Sequence, residues 1–117
     1  MAQQKIDIDI SDANDYRVLK PTGDLDVYTV GSLRDAIGEV VEQENPKVVV
    51  DLDSVPFMDS SGLGALMGGV RRLREAGGDL AIACTREQHL KLFTMTGFGE
   101  GVSIAPTVEE AARGFKS

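Results

Sequence analysis

The sequence is poor in cysteine and in aromatic residues, and each shortage excludes a class of protein. Its single cysteine, Cys84, excludes an internal disulfide. The apolar run around Cys84 predicts a buried side chain, and such sparing use of cysteine fits a reducing compartment. Tryptophan is absent and aromatic residues make up only 5%, so aliphatic side chains must fill the interior. Because hydrophobic residues still make up 42% of the 117 residues, we predict one domain with one core over residues 1–117.

Long hydrophobic runs and an excess of positive charge are also missing. The longest charge-free stretch after Asp59, Ser60–Val70, is too short and too rich in glycine to span a membrane, and Met1–Lys5 shows no signal-peptide core. The net charge of −7 argues against nucleic acid or an anionic membrane as the main partner. The basic cluster Arg71–Arg74 is interpreted as the solvated face of a helix. We therefore predict a soluble cytoplasmic protein.

Apolar periodicity predicts an α/β domain. Ile6, Ile8 and Ile10 alternate with polar residues, as in a half-buried edge strand, and Tyr16–Lys20 follows as the second strand of a hairpin. Helices and strands then alternate. The predicted strands are Val48–Leu52, Leu80–Ala83 and a short one at Val102 and Ile104. The first predicted helix runs from Val30 to about Glu44, and the second has the apolar stripe Leu63, Leu66, Met67, Val70 and Leu73 and ends at Gly77–Gly78. The third helix lies between the capping box Thr85–Gln88 and Gly97, and the fourth opens at the capping box Thr107–Glu110. This order predicts a mostly parallel sheet with right-handed crossovers, and a loop over Pro21–Asp26.

The stretch Asp59-Ser60-Ser61-Gly62-Leu63-Gly64 lies between a predicted buried strand and a helix, and four interpretations compete for it. A phosphate cradle is disfavoured, because the glycine spacing misses the dinucleotide fingerprint by one residue and the lysine of a P-loop is missing. A serine nucleophile would need a nearby base, and the only histidine, His89, is expected on a partly exposed helix.

The two remaining interpretations are compatible with each other. Asp59 or Ser60 is a suitable N-cap for the helix, and the small residues along it would let another backbone come close. A serine at the start of a helix can also accept a phosphate, which carries about −1.5 to −2 charge at pH 7 and is favoured by the helix N-terminus. If their loop lies at the same end of the sheet, Asp24 and Asp26 would be near, and a dianion among carboxylates would repel a partner.

Five segments of the sequence carry a resemblance to a known family: Val48–Leu52 and Phe57–Gly64 most strongly, then Gly23–Asp26, Gly77–Gly78 and Lys91–Phe98. Across essentially its whole length the chain resembles the STAS-domain anti-sigma-factor antagonists, the anti-anti-sigma factors of bacterial stress and sporulation control. The resemblance implies a single STAS domain that is not an enzyme and needs neither cofactor nor metal. It also implies partners. The unphosphorylated form would bind an anti-sigma factor that is also a serine kinase and so release a sigma factor, phosphorylation would end binding, and a serine phosphatase would restore it.

The resemblance assigns roles to individual residues. Ser60 is the expected phosphoacceptor, Asp59 its acidic neighbour and cap, and Ser61 and Gly62 shape the start of the helix. The expected partner-binding set is Gly23, Asp24, Asp26, Asp59, Ser60, Ser61 and Gly62, with turn chemistry as the alternative for the two loop aspartates. We expect a monomer or a weak dimer that binds neither nucleic acid nor membrane. The alternative functions are a STAS scaffold subunit of a larger signalling assembly without sigma-factor control, and a small enzyme that pairs Ser60 with His89.

Overall fold

Five strands form one sheet in the order β1-β2-β3-β4-β5 in the computed structural model, which describes residues 6–115. The strands are β1 (Asp7–Asp12), β2 (Arg17–Thr22), β3 (Lys47–Asp51), β4 (Asp79–Ala83) and β5 (Ile104–Ala105). The helices are α1 (Val30–Val41), α2 (Ser60–Glu75), α3 (Glu87–Thr96) and α4 (Val108–Arg113), with a 3₁₀ turn at Phe98–Glu100. β1 and β2 are antiparallel, and the later neighbouring pairs are parallel. The predicted α/β class, hairpin and mostly parallel sheet are therefore confirmed.

The two faces of the sheet are covered unequally, because alternate residues of a strand point to opposite sides. Val48 and Val50 of β3 belong to the main core, together with apolar side chains of α1, α2 and α3. Val49 points the other way and packs with Ala81 and with Ala111 of α4. Three helices thus cover one face and the short α4 covers part of the other, which explains why β3 and β4 are nearly continuous in apolar residues.

Two predicted boundaries are wrong. The loop was expected to begin at Pro21, but β2 continues through this residue, because β2 pairs with β3 only as far as Leu19 and pairs with β1 beyond it. Along that stretch of β2 the missing N–H of proline costs no bond to β3. Helix α1 ends at Val41 rather than near Glu44, since a turn in which Asn45 adopts a φ of 51° already redirects the chain into β3.

One of the two predicted capping boxes is also wrong. At α3 the N-cap residue is Arg86, which makes no capping bond with its side chain. The hydroxyl of Thr85 instead donates to Oδ1 of Asp53, at 3.1 Å. At α4 the N-cap is Thr107, and its Oγ1 accepts a hydrogen bond from the amide of Glu110 as predicted. A long-range partner therefore removes the Thr85 hydroxyl from its local role.

The outer side of α2 departs from the prediction at two residues. Met67 was assigned to the apolar stripe but is 47% exposed. Arg74 was assigned to a solvated face, but its Nε lies 2.8 Å from Oδ1 of the fully buried Asp79. The predicted helix ends hold, because Gly77 and Gly97 both adopt the positive φ that ends a helix. Within residues 6–115, none of the helices combines the length and the hydropathy that a membrane crossing needs.

Candidate functional site

Two loops meet beside the start of α2, beyond the carboxyl ends of β2 and β3. The N–H of Gly23 donates to the carbonyl oxygen of Ser54 at 3.1 Å, and the N–H of Leu25 donates to that of Phe57 at 2.9 Å. The Leu25 carbonyl in turn accepts from the N–H of Asp59 at 3.2 Å. These bonds bring the Gly23–Asp26 loop beside the start of α2. The loop therefore lies at the same end of the sheet as Ser60, which was the condition for expecting Asp24 and Asp26 nearby.

Gly62 allows this close approach. A Cβ at Gly62 would lie 2.5 Å from Cγ of Met58, and 3.1 Å from both the Cβ and the carbonyl oxygen of Leu25. Gly23 contributes in a different way, because it adopts a φ of 120°, which side chains other than glycine rarely allow. The two glycines of the predicted set therefore build the site without presenting any side chain to a partner.

Asp59 is the N-cap of α2, and Ser60 is its first residue. Oδ1 of Asp59 accepts from the N–H of Ser61 at 2.8 Å and from the N–H of Gly62 at 3.3 Å. Of the two residues predicted as caps, the structure thus selects Asp59, which satisfies two of the first-turn amides. Ser60 is exposed whereas Ser61 is half-buried, so Ser60 is the more accessible of the two hydroxyls.

The two aspartates of the loop differ in their surroundings. Asp26 is half-buried, and its Oδ1 accepts from the N–H of Tyr28 at 2.9 Å in a local turn. The buried Thr29 closes the same turn, because its hydroxyl donates to the carbonyl oxygen of Asp24 at 2.7 Å and accepts from the N–H of Asp26 at 3.0 Å. Turn chemistry therefore describes Asp26, while Asp24 presents its side chain to solvent.

An apolar rim, which was not predicted from the sequence, consists of Val27, Tyr28 and Phe57 in the two loops and Met67 on α2. Their exposed fractions are 56%, 54%, 52% and 47%, respectively. Exposed apolar side chains that border a polar centre are typical of a protein-binding surface. The position of Val27, Tyr28 and Phe57 between predicted elements is the signal that the sequence offers, although it does not show that these side chains point outward.

The burial of His89 argues against the interpretation of Ser60 as a nucleophile, and the burial of Cys84 argues against a reactive thiol. His89 is buried (2% exposed), not partly exposed as predicted, and its Nε2 lies 2.6 Å from the carbonyl oxygen of Val55. Because a carbonyl only accepts hydrogen bonds, this nitrogen carries the hydrogen and is not a free base. Cys84 is buried as predicted, and burial raises the pKa of its thiol, which opposes activation. The structure shows no cluster of potential metal ligands among residues 6–115.

Comparison with known proteins defines the class. The STAS domain profile matches residues 5–111. A protein named anti-sigma-B factor antagonist, from Bacillus subtilis (strain 168), is 30% identical over 105 residues, which cover 89% of this chain and 94% of that protein. The crystal structure of an anti-sigma factor antagonist from Mycobacterium paratuberculosis matches with a TM-score of 0.76 and 28% identity over 92% of each chain. The Bacillus cell fate determinant SpoIIAA in its phosphorylated form matches with a TM-score of 0.70 and 26% identity, over 92% of this chain and 97% of that one.

These similarities and the fold together define a STAS domain. More narrowly, the chain belongs to the STAS-domain family of anti-sigma-factor antagonists. This is a family of regulatory binding proteins.

Proposed function

We propose that the chain is an anti-sigma-factor antagonist controlled by phosphorylation of Ser60. The unphosphorylated protein binds an anti-sigma factor that is also a serine kinase, and a sigma factor is released. A phosphate transferred to Ser60 from the kinase's ATP ends the complex, and a serine phosphatase restores it. The chain acts in the cytoplasm as a binding regulator, as a monomer or a weak dimer. The observation that carries the proposal is an exposed serine at the first position of α2, beside acidic and apolar docking residues.

The helix start tolerates a phosphate on Ser60. The capping bonds to the first-turn amides come from Asp59, so modification of the serine hydroxyl leaves them intact. The helix dipole favours negative charge at this end by about 0.3–1 kcal/mol when the site is exposed. The domain therefore stays folded in both forms, which is a requirement for a reversible switch.

The outer side of α2 supports docking at the same place. Gly64 lies one turn beyond Ser60, and Met67 nearly one turn further along the same side of the helix. A Cβ at Gly64 would meet nothing within 4 Å, so packing within the domain does not require glycine there. Glycine inside a helix costs about 1 kcal/mol relative to alanine. We therefore attribute the glycine at position 64 to a partner whose surface lies close against this side of α2. Such a partner covers Ser60.

The charge around Ser60 explains why phosphorylation would end binding. Asp59 is half-buried beside the serine, and Asp24 is exposed on the adjoining loop. A partner that covers this surface removes water from the two carboxylates and packs apolar side chains against the rim, so negative charge added there is less well screened once the partner is bound. A dianion added at the centre must lose its hydration on docking, and a loss of 3–4 kcal/mol in binding weakens a complex by about 100- to 1,000-fold.

The proposal is tested with three variants of one immobilised protein: Ser60→Ala, Ser60→Asp and, as the matched control, Ser61→Ala. Each is incubated with an extract of the host cell, and the retained proteins are identified by mass spectrometry. We expect Ser60→Ala and Ser61→Ala to retain the same anti-sigma factor with kinase activity, and Ser60→Asp to retain little of it.

The second step uses the retained kinase and ATP. The kinase should add one phosphate to the wild-type protein and to Ser61→Ala, with release of both, while Ser60→Ala stays bound. Release of Ser60→Ala by ATP, or a phosphate mapped to another residue, would show that Ser60 is not the switch.

A further inference from the structure

The start of α3 holds the connection between β3 and α2, which carries the residues next to Ser60. Oδ1 of Asp53 in this connection accepts from the N–H of Thr85 at 2.7 Å and from its hydroxyl at 3.1 Å. Nε of Arg86 donates to the carbonyl oxygen of Asp53 at 2.9 Å. The connection is therefore fixed from the side opposite the Gly23–Asp26 loop, by residues that are distant in the sequence.

Among the bonds from the α3 side, the one that His89 makes to Val55 lies closest to Ser60 along the sequence. Its side chain lies on the buried side of α3, one turn before Phe93, where an apolar residue would be expected. Its Nε2 donates to the carbonyl oxygen of Val55 at 2.6 Å, and Val55 is itself fully buried. A buried carbonyl without a donor is costly, so this contact strongly constrains the backbone at Val55. Phe57 of the apolar rim lies two residues further along.

We infer that His89 is a positioning residue for the phosphoacceptor. By holding the Val55 carbonyl it fixes the course of the Val55–Ser60 segment, and with it the orientation of Phe57 and Ser60 toward the kinase. The assignment of an acceptor role to Ser60 rests on the proposed function. The hold on the segment is a property of the domain alone and is measured without a partner.

The hold is tested by amide hydrogen exchange of the isolated protein. The reporters are the amides of Val55, Asp59 and Leu25, which donate to Leu52, Leu25 and Phe57, respectively. The variant His89→Leu removes the donor, and His89→Gln places an amide N–H near the position of Nε2. The matched control is Phe93→Leu, which removes packing from the same helix and keeps the bond.

We expect His89→Leu to speed exchange at these amides by about tenfold relative to the amides of β3 and β4, as for the loss of one buried hydrogen bond. His89→Gln should restore part of the protection, and Phe93→Leu should show no selective effect. A uniform change in His89→Leu, or the same selective change in Phe93→Leu, would overturn the inference.

The positioning role is tested by phosphorylation with the kinase recovered by the Ser60→Ala bait. We expect kcat/KM at Ser60 to fall by about tenfold in His89→Leu, mainly through KM, and to be largely restored in His89→Gln. Equal kcat/KM in wild-type protein and His89→Leu, together with selective exchange, would overturn the positioning role and leave the proposed function standing. If the wild-type protein is not phosphorylated at Ser60, the proposed function itself fails, whatever the exchange shows.

Discussion

The close packing at Gly62 predicts that alanine is not tolerated there, and the same substitution at Gly64, which faces open space, is the matched control. An alanine at Gly62 would place its Cβ against Met58 and Leu25. The side chain of Met58 could swing aside, but Leu25 is fully buried and its carbonyl accepts from the amide of Asp59, so the loop cannot retreat without breaking that bond. An alanine at Gly64 meets open space and gains only helix propensity.

The two substitutions should therefore have opposite effects on the free energy of unfolding, lowering it at Gly62 and raising it at Gly64. Inserting a methyl group into a packed site costs about 1–3 kcal/mol, while replacing glycine by alanine inside a helix gains up to about 1 kcal/mol. Because the propensity gain is similar in both variants, the free energy of unfolding of Gly62→Ala should lie about 1–3 kcal/mol below that of Gly64→Ala. For a domain of this size about 4 °C corresponds to 1 kcal/mol, so the two melting temperatures should differ by about 4–12 °C.

Urea and thermal unfolding followed by circular dichroism measure both quantities. If Gly62→Ala unfolds at the same temperature as Gly64→Ala, or above it, the close approach of the loop to α2 is not what makes glycine necessary. A second readout separates stability from binding. Gly64→Ala should retain less of the kinase partner than the wild-type protein, although it is the more stable protein.

Two further predictions concern charged groups at the two ends of α2. Asp59→Ala removes the cap and should lower the free energy of unfolding by about 1 kcal/mol in urea titration, whereas the exposed Asp24→Ala should change it by less than about 0.5 kcal/mol. Arg74→Met removes the Nε donor to the buried carboxylate of Asp79 and the Nη2 donor to the carbonyl oxygen of Gly101, and it should cost about 2–3 kcal/mol by the same assay, against less than about 0.5 kcal/mol for the exposed Arg71→Met. Equal effects of either variant and its control would contradict the assigned contacts.

The sequence was sufficient for the order of elements because that order depends on local patterns. The apolar runs of β3 and β4 and the glycines that end α2 and α3 are signals read within a few residues. Thr85 shows where such signals fail. Its capping box is locally convincing, yet Asp53 competes for its hydroxyl, and this contact exists only after folding. The prediction that His89 is partly exposed was wrong for the same reason, because its hydrogen-bond partner Val55 belongs to another loop.

The candidate site was predicted in its polar part and missed in its apolar part, and the reason is physical. Ser60, Asp59 and Gly62 lie in one short segment, so a single motif contains them. Tyr28 and Phe57 belong to two different loops, which backbone hydrogen bonds around Leu25 join, and both side chains are exposed. No pattern in either segment alone shows that these side chains point outward, since large apolar residues are usually buried.

The cap also determines where a phosphate on Ser60 would act. Phosphates at helix N-termini are commonly held by free backbone N–H groups, but here Asp59 already accepts from the amides of Ser61 and Gly62. The phosphate could therefore gain little from the helix beyond the dipole, and the carboxylate of Asp59 would oppose even that gain. A group that neither adds nor removes a bond within the domain leaves the two forms similar in stability. The discrimination must then come from the complex, where the dianion would lie under the partner and lose its hydration. The cap at Asp59 thus favours a switch that acts on docking and leaves folding unchanged.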